Sequence, residues 1–174
     1  MARDDAGALL EPLIPALRRY AYSLVRDHAA ADDLVQDTLE RALSRWFLRR
    51  ADGDLRAWLF TILRNLYISA YRRRKRHGTE GTLDDAALPG TAPRQEAALE
   101  AQDVLAALDH LPEEQKSLLL LVGVEDLSYG DAARILGLPM GTVMSRLSRA
   151  RQRLRSILET GLETGRTTLL RRVK

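Results

Sequence analysis

The sequence predicts an all-α protein: two small helical domains joined by a flexible linker, the second of them a helix-turn-helix. Three observations carry this. Leu, Ala, Arg and Glu dominate while aromatics make up only 5% of the 174 residues, a balance that favours helices. Apolar residues recur three and four positions apart over long stretches. No segment shows the two-residue alternation of a half-buried strand. With 45% apolar and 29% charged residues, the chain has enough apolar content for a core and enough charge to stay in solution.

From Leu9 to Val25 the spacing of Leu10, Leu13, Ile14, Leu17, Tyr20, Ala21, Leu24 and Val25 predicts one helix face, with Pro12 and Pro15 tolerated in its first turn. A second helix follows Asp27, burying Leu34, Val35, Thr38, Leu39, Ala42, Leu43 and Trp46 and leaving Asp32, Asp33, Gln36, Asp37 and Glu40 in water. Ala51 to Asp54 is a turn, and Asp54 is placed to cap a third helix. The stripe of that helix is Leu55, Trp58, Leu59, Ile62, Leu63, Leu66, Tyr67 and Ala70. These three helices form the first domain, residues 8–76. Residues 77–95, with Gly78, Gly81, Pro89, Gly90 and Pro93, read as a linker.

The second domain, 96–160, opens with a helix ending near Leu111. Pro112, Glu113 and Glu114 then start another, proline first and carboxylates at the positive end of the dipole. Its run Leu118 to Val122 is largely buried. Ser128 with Asp131 caps a short helix, Tyr129 to Leu136, which Gly137 ends. A longer helix from Met140 to Leu158 turns Val143, Leu147, Ala150, Leu154, Ile157 and Leu158 inward. Two helices about a tight glycine turn make a helix-turn-helix, whose second helix enters a major groove. The tail from Thr160 to Lys174 reads as frayed helix or as an extra basic arm.

The net charge of +3 hides strong segregation. Arg72 to Arg76 is an unbroken basic run, and Met140 to Leu158 carries five arginines and no acid, whereas Asp32 to Glu40 holds four carboxylates and no base. A basic face attracts phosphate, and an acidic face needs a different partner. A run of arginines by itself reads most simply as a solvated face. Here, however, Arg146, Arg149, Arg151 and Arg153 lack any Glu at i±4 and follow a helix-turn signal, which favours DNA. Thr142, Ser145, Arg146, Ser148, Arg149, Gln152 and Arg153 face outward; short hydroxyls permit close approach, and arginine forks to guanine or pairs with phosphate.

Other function classes have little support. The absence of cysteine rules out disulfides and thiolate metal sites. His28, His77 and His110 have no ligand spacing, so no metal or cofactor is expected. No nucleophile–base set or phosphate-cradling loop stands out, so an enzyme is not expected. Neither a signal peptide nor a membrane-inserting span is visible, which places the chain in the cytoplasm.

Pro139-Met-Gly-Thr-Val143, followed by Ser145-Arg146-Leu147 and Arg149-Ala150-Arg151, resembles region 4 of the extracytoplasmic-function (ECF) sigma factors, the smallest of the sigma-70 family. Asp32-Asp-Leu-Val-Gln-Asp-Thr38 is similar to their region 2.1–2.2. Ala57-Trp-Leu59, Ile62, Asn65 and Arg72-Arg73 are similar to region 2.3–2.4. The resemblance implies a factor that binds core RNA polymerase and directs promoter-specific transcription initiation.

It also implies roles for particular residues. Asp32, Asp33, Gln36, Asp37 and Glu40 would meet the β′ clamp helices. Arg49, Arg50, Asp52, Arg56, Asn65, Tyr71, Arg72, Arg73 and Arg76 would serve −10 recognition and melting. Thr142, Met144, Ser145, Arg146, Ser148, Arg149, Arg151 and Arg153 would read the −35 element while region 4 rests on the β flap. An anti-sigma factor is the expected inhibitor. Family members often carry Asp where Ser69 stands, so the pairing made by that Asp is absent. Trp58, Trp46 and Phe47 are assigned to the core, and Tyr71 is the aromatic better placed for DNA. The alternative is a stand-alone, dimeric helix-turn-helix regulator, which leaves the acidic helix and the basic run without purpose.

Overall fold

The computed structural model describes residues 2–49, 53–77 and 96–171, with side chains described for 6–49, 53–77 and 101–160. Among these residues the elements are α1 (Ala2–Leu10), α2 (Ile14–Val25), α3 (His28–Ser44), α4 (Leu55–Arg76), α5 (Glu96–Asp109), α6 (Glu113–Gly123), α7 (Tyr129–Leu136) and α8 (Met140–Arg171), with single 3-10 turns at Glu11–Leu13 and Trp46–Leu48. The architecture is all-α, with two helical domains on either side of the expected linker. Most of that linker, 78–95, lies outside the described residues.

The prolines correct the first helix. The expected single helix from Leu9 is instead α1, a 3-10 turn and α2, with Pro12 and Pro15 each in the opening positions of a new element. A missing N–H costs little only there, so two prolines three residues apart start two elements. Arg26 ends α2 in the left-handed conformation, φ 61°. Asp27 then caps α3 by accepting from Ala30 N at 2.7 Å, and Asp54 caps α4 by accepting from Ala57 N at 3.2 Å.

The buried face of α3 is Ala31, Val35, Thr38 and Ala42. Leu43, expected inside, is 39% exposed, and Phe47, also expected inside, is 81% exposed. The α-helical phase stops at Ser44, and the 3-10 turn that follows redirects Phe47 and Leu48 outward while Trp46 packs edge-on against Trp58 at 6.3 Å. Helix α4 is buried more widely than its expected stripe, adding Ala57, Phe60 and Ile68, because α2, α3 and α7 all pack on it.

Helices α6, α7 and α8 pack on one another, and α5 packs on α8. Ser128 Oγ caps α7 by accepting from Asp131 N at 3.0 Å, and Gly137, φ 64°, ends it in the conformation that glycine adopts without penalty. Val143, Leu147 and Ala150 of α8 are buried. The helix runs on to Arg171, so the start of the tail is helical.

The two halves share one continuous core, from Leu17 and Tyr20 through Leu63 to Leu118, Leu121 and Leu147. Helix α6 packs against α2, and α7 against α4. Several polar groups find partners across this seam. The Tyr20 hydroxyl lies 2.7 Å from Ser117 Oγ, and burial pushes its phenol pKa up. Lys116 Nζ donates to Leu24 O at 3.0 Å and to Asp109 at 2.7 Å. Tyr67 donates to Glu113 at 2.5 Å, and burial together with that carboxylate raises its pKa. Arg64 lies half-buried in α4, and desolvation lowers its pKa.

Truncation of Leu121, fully buried on α6, is expected to lower unfolding free energy by about 2–5 kcal/mol in urea titration. Leu43→Ala, on an exposed side chain, is expected to change it by less than about 0.5 kcal/mol.

Candidate nucleic-acid interface

The candidate reading surface is built on the first turns of α8. The three-residue turn Gly137-Leu138-Pro139 sets α8 across α7, and Thr142 N and Val143 N bond back to Pro139 O at 3.0 and 3.1 Å. Burying Val143, Leu147 and Ala150 forces the opposite face outward. Met144, Ser145, Ser148, Arg149, Arg151 and Arg153 are exposed, and Thr142 and Arg146 are half-buried. Among the described residues no acid pairs with Arg149, Arg151 or Arg153. Arg146 differs, because its Nη1 meets Glu114 of α6 at 2.5 Å. That partner is 32 residues away in sequence and invisible to any i±4 rule. A groove of about 470 Å³ runs between Tyr129 and α8, bordered by Met144, Ser148, Arg151 and Arg155.

A second basic surface lies at the two ends of α4. At its C-terminal end Arg72, Arg73 and Arg76 are exposed, and cations there complement the negative end of the helix dipole. Tyr71 is half-buried with its ring 6.3 Å from Tyr67, and Asn65 is exposed. At the N-terminal end Arg49 stacks over Trp46 at 4.8 Å. Leu48, Arg49, Asp54, Trp58 and Thr61 line a cleft of about 340 Å³ to which α7 contributes Arg134. Trp58 is only partly buried, so it serves both core and cleft. Arg56 is turned toward Glu125, its Nη2 2.5 Å from the backbone carbonyl and 3.6 Å from the carboxylate. Arg50 and Asp52 lie outside the described residues.

The acidic face is separate from both. Asp32, Asp33, Gln36, Asp37 and Glu40 are all exposed along α3. Asp32 pairs with Arg18 at 3.0 Å and Gln36 donates to Glu40 at 3.0 Å. No group of three metal-ligating side chains occurs among the described residues. No helix among them is long and apolar enough to cross a membrane. Sequence reading missed Arg19, Lys116, Ser117 and Glu125, whose partners are about a hundred residues away. No local pattern marks them.

Comparison with known proteins gives this geometry a family. Residues 10–64 match the Sigma2 domain of PhyR and residues 101–154 match Sigma-70, region 4. The chain is 46% identical over 156 residues to the ECF RNA polymerase sigma factor EcfG of Rhodopseudomonas palustris, covering 90% of this chain and 84% of that one. Among solved structures it is similar to the sigma factor RpoE of Bartonella quintana, determined in complex with the anti-sigma factor NepR. That match has a TM-score of 0.77 and 40% identity and covers 89% of this chain and 97% of that one. It is also similar to CnrH, determined in complex with the cytosolic domain of CnrY, with a TM-score of 0.69 and 28% identity, covering 89% and 88%. The chain belongs to the ECF sigma factors of the sigma-70 family, non-catalytic factors of transcription initiation.

Glu114→Ala should free Arg146 for phosphate. The slope of log K against log salt for promoter DNA binding by the polymerase-bound chain should then steepen by about 0.9, one phosphate contact. An unchanged slope would mean that Arg146 is not a phosphate ligand.

Proposed function

We propose that the chain joins core polymerase through α3, opens the −10 element with α4 and the segment before it, and reads the −35 element with α8. In this reading region 2 lies within residues 8–76, region 4 within 96–160, and residues 77–95 tether them. The observation that carries the proposal is the exposed arginine face of α8, whose Arg149, Arg151 and Arg153 have no acidic partner among the described residues. Leaving cations unpaired on the leading helix of a helix-turn-helix suits a polyanion.

Each remaining surface has a part. Asp32, Asp33, Gln36, Asp37 and Glu40 form a ridge for the β′ clamp helices, while the β flap supports region 4. Promoter melting needs a recess for an unstacked base and cations along the freed strand. The cleft beside Trp58, lined in part by Arg49, offers the recess, and Arg50, Asp52 and Arg56 are assigned to the same −10 role. Asn65, Tyr71, Arg72, Arg73 and Arg76 lie along the adjoining −10 duplex. On the −35 side Thr142, Met144, Ser145 and Ser148 set base preference, while Arg146, Arg149, Arg151 and Arg153 add charge. An anti-sigma factor is the proposed inhibitor, since RpoE and CnrH were each determined with a bound partner, named an anti-sigma factor in the RpoE case.

Run-off transcription and core-binding assays separate the surfaces. Arg149→Ala should lower initiation from −35-dependent promoters on the order of tenfold or more, one lost base or phosphate contact, with core affinity unchanged. A fall in core affinity would contradict the assignment of α8. Combined Asp37→Lys and Glu40→Lys should abolish capture by core polymerase, and wild-type affinity in that variant would refute the α3 ridge.

A further inference from the structure

We propose that the free chain holds itself closed through Glu125, an internal anion that docks region 4 onto Arg19 and Arg56 and thereby occupies a cation assigned to strand capture. Glu125 lies two residues past the end of α6, and Asp126, with φ 51°, turns the chain sharply after it. Its side chain is fully inaccessible, and it is the only buried carboxylate among the described residues.

Both of its cationic partners come from the other half of the molecule. Arg19 of α2 makes a two-pronged contact, Nε at 2.9 Å and Nη2 at 2.6 Å, and the bond to Glu125 raises the Arg19 pKa. Arg56, in the first turn of α4, donates to the Glu125 carbonyl. A buried carboxylate is tolerated only when it is paired, and among the described residues the second domain supplies no cation to pair it. Its burial is therefore a property of the closed arrangement and not of its own domain's fold. Once the halves part, the carboxylate hydrates.

Besides the apolar contact of α6 with α2 and the Arg26–Asp109 ion pair at 3.3 Å, which favour closure, the seam holds polar contacts that can be exchanged. Tyr20 with Ser117, Lys116 with Leu24 O and Tyr67 with Glu113 are hydrogen bonds that water can replace. Closure also brings Arg134 of α7 to the cleft beside Trp58. Arg56 is thus held by Glu125 while the cleft gains a wall from region 4. The closed chain and a chain gripping an opened DNA strand exclude one another. Closure stands on the geometry alone, whereas the conflict with DNA rests on the −10 role proposed for Arg56.

Because the sequence has no cysteine, Ser44→Cys and Gln102→Cys, both at exposed sites on opposite halves, accept a fluorophore pair cleanly. Energy transfer in the full chain, without polymerase or DNA, reports closure. Wild type should give one high-transfer population. Glu125→Ala and Arg19→Ala should each lower the closed-to-open ratio on the order of tenfold or more with helix content retained. The swapped pair Glu125→Arg with Arg19→Glu should restore closure in part. If Glu125→Ala loses helix content, Arg19→Ala, whose side chain is half exposed, decides. A wild type already open, or closure unchanged in Arg19→Ala, would overturn the latch.

Core polymerase supplies the second arm. Releasing the latch should tighten apparent affinity by the factor through which the open fraction rises. Equal affinity of wild type and Glu125→Ala would overturn the inhibitory role. If neither bound core polymerase, the proposed function would fall, while the energy-transfer result would stand on its own.

Discussion

The arrangement of this molecule turns on the apolar run of α6. Leu118, Leu119, Leu120 and Leu121 are all buried, on successive sides of one helix. A helix apolar all round must be covered all round, and α7 and α8 cover only part of it. The remainder packs on α2. The first domain thus completes the burial of a helix that belongs to the second, and the polar groups at the edge of that contact are held by partners across the seam. Lys116, Ser117 and Glu125 fall in or just after the same helix, so the requirement that hides the leucines also aims these groups at α2 and α4.

Charge is organised on a different plan from burial. The acidic ridge of α3 and the arginine faces of α4 and α8 lie on separate elements, each exposed by the burial of its opposite side. A chain with net charge of only +3 can therefore present a strongly acidic surface to one partner and strongly basic ones to another. Intramolecular pairing draws on that store selectively. Glu114 takes Arg146 and Glu125 takes Arg19 and Arg56, leaving Arg149, Arg151 and Arg153 outward.

Much of this was legible in the sequence where signals are local. Ser128 with Asp131, Gly137 and Asp54 mark element ends by hydrogen bonds made within three or four residues. The helix-turn-helix and the exposed faces of α3 and α8 followed. Leu43 and Phe47 were misplaced because a helical period was carried past Ser44, where a tighter turn changes the phase. Pro12 and Pro15 obeyed the expected rule twice instead of once. Phe60 and Ile68 escaped notice because a helix packed on several sides buries more than one stripe. The seam was illegible for a stronger reason: Arg19 and Glu125 are 106 residues apart, and nothing near either names the other.

Helix α8 is unbroken from Met140 to Arg171, which ties its two tasks together. The arginine face and the face that packs on α5 and α6 share one backbone screw, advancing about 100° and 1.5 Å per residue. Deleting or inserting a single residue within it would swing the arginine face by roughly a quarter-turn against its own scaffold. The outward side chains of such a helix can be exchanged freely, but its length is kept in register by the core.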